Sequence, residues 1–157
     1  NAWISNNPWG LQIARMVVGG KYNMPKTAPG VVDTSADNQY WNKKYRLEAV
    51  CQLQELLESK MNKSTFEKIR QPCLTLYYYK NENEQDPQVK VSAMLEMNNQ
   101  LSTPDSLKVT VPVPNAGGHV LGSHIVSKDL ESVSGEVRKF AVEKLRMKPV
   151  TPGAQTP

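Results

Sequence analysis

Asp86 and His119 are the two side chains of this sequence best suited to act together as an acid–base pair. Histidine is the side chain whose ordinary titration falls between about pH 5 and 8. A carboxylate bonded to one ring nitrogen fixes the tautomer and steadies the imidazolium. The other nitrogen is then left to take and return a proton. Asp86 lies in an expected polar loop, Lys80 to Gln88, in which Glu82 and Glu84 are alternative acids. His119 follows Asn115-Ala116-Gly117-Gly118, whose paired glycines allow a tight turn that projects the ring.

The other reactive residues lack such surroundings. Cys51 falls on the apolar face of an expected helix and Cys73 opens an apolar strand, so both read as buried structural thiols. His119 and His124 have no third ligand at metal-like spacing, so no metal site is expected. There is no Gly-x-Ser-x-Gly elbow: Gly122-Ser123-His124 lacks the spacing, and Ser134-Gly135 falls within an expected helix. A glycine-rich phosphate loop of the Walker or dinucleotide type is also missing.

Two textures meet near residue 70. Residues 1–70 read as helical segments with a loop. Pro8-Trp9-Gly10 opens a short helix with Leu11, Ala14, Val17 and Val18 on one face, stopped by Gly19-Gly20. Asp37 or Asn38 can cap a long helix reaching about Ser59, with Leu47, Val50, Leu53, Leu57 and Met61 at helical spacing. Tyr40, Trp41 and Tyr45 give its first turns an aromatic face. Ser64 and Glu67 have capping-box spacing for a further short helix.

From residue 71 onward, strand and helix patterns alternate. Cys73 to Tyr79 is rich in β-formers with apolar residues on both faces, the pattern of a buried parallel strand. Val91, Met94, Leu95, Asn98 and Leu101 mark an amphipathic helix, and Pro104-Asp105 a turn. Leu107, Val109, Val111 and Val113 alternate with polar residues as a second strand, with Pro112 near its end. A last helix from about Lys128 to Leu145 has Leu130, Val133, Val137, Phe140, Ala141 and Leu145 inward. Such alternation predicts an α/β fold with a parallel sheet. Two parallel strands alone would both be edges, so the pattern calls for further strands elsewhere. In open parallel sheets ligands bind beyond the carboxyl ends of the strands, where Asp86 and His119 would be neighbours.

Composition narrows the function classes. The chain has 157 residues, 39% hydrophobic and 22% charged, enough for a globular core. Its formal net charge of +4 is spread out. The densest group, Lys43, Lys44 and Arg46, sits among aromatics and acids, so no nucleic-acid partner is expected. The longest stretch without charge, Val109 to Ser127, contains prolines, glycines and histidines and begins as a strand, so no membrane span is expected. The chain starts at Asn1, not Met, and reads as a processed or truncated product. The compartment is not legible from these features.

Several segments, taken in order, resemble the α/β-hydrolase family. Asn115-Ala116-Gly117-Gly118-His119-Val120 after an alternating strand is similar to its histidine loop. Gln85-Asp86-Pro87-Gln88-Val89 is similar to its acid loop, and Pro72-Cys73-Leu74-Thr75-Leu76-Tyr77 to the Pro-led strand before that loop. The order Asp then His, one βα unit apart, is the family's order. Residues 1–70, from Pro8-Trp9-Gly10 to about Arg70, look like its inserted helical cap. Residues 71–148 would then be the last two βα units of the core, and 149–157 a loose tail.

The resemblance implies the C-terminal part of a serine hydrolase that cleaves a small-molecule carboxylic ester, thioester or amide without a cofactor. Asp86 and His119 would be the acid and base of a triad. The serine and the first strands would belong to an N-terminal part of the same protein, upstream of Asn1, and this chain alone would be inactive. Trp9, Tyr40, Trp41 and Tyr45 would shape an apolar substrate pocket. The acid loop departs from the family pattern by the inserted residues Asn81 to Gln85, which keeps Glu82 and Glu84 open as acids. Two competing readings are a non-catalytic interaction domain on the same fold and a chain active only with a separate N-terminal partner chain.

Overall fold

The computed structural model describes residues 44–149 and, upstream of them, residues 13, 16, 17, 19 and 23–25. The elements in chain order are β1 (Asn23–Pro25), β2 (Lys44–Arg46), α1 (Leu47–Lys60) and α2 (Lys63–Phe66). They continue with β3 (Cys73–Tyr77), β4 (Tyr79–Asn81), β5 (Glu84–Gln85), α3 (Val91–Gln100), β6 (Lys108–Pro112) and α4 (Leu130–Glu143). The fold is mixed α/β around a two-stranded parallel sheet.

That sheet pairs β3 with β6 in register from Cys73 opposite Lys108 to Tyr77 opposite Pro112. Parallel strands need a crossover, and α3 supplies it, packing on both strands. Buried Asn98 of α3 accepts from Thr75 Oγ1 of β3 at 3.4 Å. Thr103, in the turn after α3, donates to the carbonyl of Gln71 at 2.7 Å and ties the crossover to the approach of β3. Pro112 occupies the last position of β6, and its missing N–H does not break the pairing, because the next bond to β3 comes from the Val113 N–H. Beyond the paired strands, Val113, Ala116 and Val133 form a buried cluster against Leu76, Tyr78 and Leu121.

Several expectations are corrected. Lys44–Arg46 is not helical: it pairs antiparallel with β1, so a non-local partner satisfies its backbone and α1 starts only at Leu47. The expected cap residues Asp37 and Asn38 lie outside the described residues. Leu47, Cys51 and Gln54 form the buried face of α1, whereas Leu53 and Met61 are exposed. Ser64 does not cap α2. Asn62 does, accepting from the Thr65 N–H at 3.2 Å, and Ser64 donates its hydroxyl to Asn62.

The stretch from Lys80 to Gln88 is not a plain loop. β4 and β5 make an antiparallel hairpin, with Tyr79 opposite Gln85 and Asn81 opposite Glu84. At the end of the chain, Asp129 caps α4 by accepting from the Ser132 N–H at 3.1 Å. Val133 faces inward from α4, but Val137 and Leu145 are exposed. Leu145 lies past the last residue of α4.

Candidate active site

Asp86 and His119 lie past the carboxyl ends of β3 and β6, where an open parallel sheet presents its ligand sites. The hairpin brings Asp86 there. The residues inserted after β3 pair with one another, and the chain returns to its starting point, where the Asp86 N–H donates to the Tyr78 carbonyl at 3.0 Å. The insertion therefore leaves the acid beside the strand end.

His119 is brought in from the other strand. The Val113 N–H donates to the Tyr77 carbonyl at 2.8 Å, extending the β3–β6 pairing one step past Pro112. The Ala116 N–H then donates to the Val113 carbonyl at 3.2 Å and turns the chain. Gly117 takes φ of 75°, a left-handed conformation that favours glycine, and His119 follows two residues later.

His119 Nδ1 lies 2.6 Å from Asp86 Oδ2. An ionised carboxylate only accepts, so Nδ1 carries the shared proton and the neutral ring keeps Nε2 as its basic nitrogen. The other carboxylate oxygen, Oδ1, accepts from the backbone N–H groups of Gln88 at 2.8 Å and Val89 at 2.9 Å. The Asp86 side chain is 2% exposed and that of His119 36%. A buried carboxylate is costly unless bonded, and these three bonds hold it. The result is a shielded acceptor behind a ring that solvent or a substrate can reach.

The alternative acids are engaged elsewhere. Glu82 accepts from the Tyr79 hydroxyl at 2.8 Å. That bond, with burial and the Glu82 charge adding to it, raises the Tyr79 pKa. Glu84 pairs with Lys80 at 2.9 Å and accepts from Asn81 at 3.0 Å. The bonds from Lys80 and then Asn81, with the Lys80 charge, hold the Glu84 carboxyl below its usual range, and the same pairing raises Lys80. Both glutamates thus brace the hairpin, and neither bonds His119.

A cavity of about 560 Å³ adjoins Asp86 and is lined also by Tyr77, Tyr79, Glu82, Lys90 and Leu95. A larger groove, about 640 Å³, lies between α1, α2 and α3 and touches neither Asp86 nor His119. Of the expected pocket residues, Trp9, Tyr40 and Trp41 lie outside the described residues. Tyr45 falls in β2, and its side chain also lies outside them.

Cys51 is buried on α1 and Cys73 stands half-buried at the amino end of β3, opposite the site. Ser134 lies within α4, and the Ser123 hydroxyl accepts from the Ile125 N–H at 3.2 Å. Among the described residues, no group of three His, Cys, Asp or Glu side chains could hold a metal ion. No helix among them is long and apolar enough to cross a membrane.

The hairpin is the feature that sequence reasoning missed. Its signal is the two-residue turn Glu82-Asn83 between Asn81 and Glu84, and Asn81 Oδ1 caps that turn by accepting from the N–H groups of Asn83 and Glu84. Compared with protein-family profiles, curated proteins and solved structures, the chain matches none.

Proposed function

We propose that this chain is the C-terminal part of a serine hydrolase of the α/β-hydrolase type, with Asp86 and His119 as two members of its triad. One observation carries the reading: a shielded Asp86 carboxylate, fixed by two backbone N–H groups, bonds Nδ1 of a partly open His119 at 2.6 Å. The parallel order of β3 and β6 and the position of both groups past the carboxyl ends support it. The outer edges of this pair would continue into strands supplied from upstream.

In the reaction a serine from that upstream part attacks the carbonyl carbon of an ester, thioester or amide. His119 Nε2 takes the serine proton as the new bond forms and returns it to the departing alcohol, thiol or amine. Asp86 keeps the ring in the productive tautomer and stabilises the imidazolium, without itself taking the proton. Water then repeats the cycle and releases the acid.

Labelling with a fluorophosphonate tests the reading. The protein extended upstream is expected to be labelled at one serine outside this chain, and the 157-residue chain to stay unlabelled. Labelling within the chain, or none in the extended protein, contradicts the assignment.

A further inference from the structure

The loop that carries His119 is closed by a residue well removed from the ring in sequence, Lys128. Its backbone N–H donates to the Ala116 carbonyl at 3.0 Å. Its side chain runs alongside the next residue, with both residues exposed: a Cβ added at Gly117 would stand 3.1 Å from Lys128 Cδ and 3.4 Å from Cε. One residue therefore grips the turn twice, by its backbone at Ala116 and by its stem at Gly117. Ala116 is fully buried in the cluster with Val113 and Val133, so the turn rests on that cluster on one side and has the stem beside it on the other. Among the described residues no carboxylate pairs with the Lys128 ammonium. Long cationic side chains commonly lay their methylenes on the protein and leave the charge in water.

We propose that Lys128 is a positioning residue for His119, acting through its aliphatic stem on the left-handed turn at Gly117. The stem limits how far the turn can open, and the turn sets where the imidazole meets Asp86. The kinetic part of this inference rests on the reading of His119 as the base; the structural part does not.

The His119 Nδ1 proton gives a direct readout in the 157-residue chain, because a proton held in a short bond to a carboxylate is shifted far downfield in NMR. Lys128→Ala is expected to broaden or move that resonance while the thermal midpoint stays close to wild type. Lys128→Met, which keeps an apolar stem and drops the charge, is expected to restore it. In the extended protein, Lys128→Ala is expected to lower kcat on the order of ten- to a hundredfold with KM unchanged.

A wild-type resonance in Lys128→Ala overturns the proposal. So does a Lys128→Met protein as impaired as Lys128→Ala, which assigns the effect to the charge. If the extended wild-type protein hydrolyses nothing, the serine-hydrolase reading fails, and the resonance still decides the role of Lys128.

Discussion

Asp86 Oδ2 and His119 Nδ1 stand 2.6 Å apart although 33 residues separate them in the chain. The β3–β6 pairing makes this meeting possible. It places both loops at one end of the sheet, and the hairpin and the Gly117 turn bring each side chain the rest of the way.

Asp86→Asn leaves the shape almost unchanged but removes the acceptor that selects the Nδ1–H tautomer. In the extended protein it is expected to lower kcat for a p-nitrophenyl ester by about 10⁴, the size seen when a triad acid is made neutral. The amide N–H introduced by this substitution would face Nδ1 and drive the proton to Nε2. Steady-state kinetics, together with the loss of the downfield Nδ1–H resonance, check both parts.

Glu82→Gln and Glu84→Gln are expected to retain wild-type rates within about twofold, because both carboxylates are exposed on the hairpin and neither bonds His119. The Glu84 carboxyl is depressed when folded, so its contribution to the hairpin is present above the unfolded glutamate range, about 4.3. That contribution is lost as pH falls through the lower folded value. The protection factors of the Asn83 and Glu84 amides, taken relative to intrinsic exchange at each pH, are expected to fall on acidification, with little change in global stability for so exposed a pair.

Asp129 gives a second acid-sensitive element. Its carboxyl is held low chiefly by the backbone bond from Ser132, helped by the Ser132 side chain. The cap on α4 is therefore present above the unfolded aspartate range and lost as pH falls through the folded value. Asp129→Asn keeps an accepting oxygen without titrating. The exchange protection of Ser132 is expected to become independent of pH in that variant and to fall with acid in the wild type.

Val113→Ala probes the support beneath the histidine loop. Val113 is 1% exposed and packs with Ala116 and Val133. Removing its two methyl groups is expected to cost about 2 kcal/mol, from lost transfer energy plus a small cavity. Urea denaturation is expected to show a lower midpoint at an unchanged slope.

The pairing of Asp86 with His119 was legible where local chemistry and strand order agree. Asp86 and His119 each follow a run rich in β-formers, and the glycines before His119 mark a turn that the structure places at Gly117. The hairpin was not legible by pattern because β5 is only Glu84–Gln85, too short and polar to show a strand period. Lys44–Arg46 departs from its expected helix for a different reason. Its spacing continues the helical pattern of Leu47 onward, but pairing with Asn23–Pro25 decides its conformation, and local sequence does not carry that information. Lys128 was likewise invisible, since nothing in its neighbourhood announces contact with Gly117.

In the proposed reaction His119 is the base of an acyl-transfer site. The most direct test of that role is the hydrolysis rate of a p-nitrophenyl ester by the extended protein carrying His119→Ala. The expected result is a rate at the level of the serine-free background, with fluorophosphonate labelling lost and the fold intact by circular dichroism. A folded His119→Ala protein that hydrolyses the ester at the wild-type rate would contradict the account.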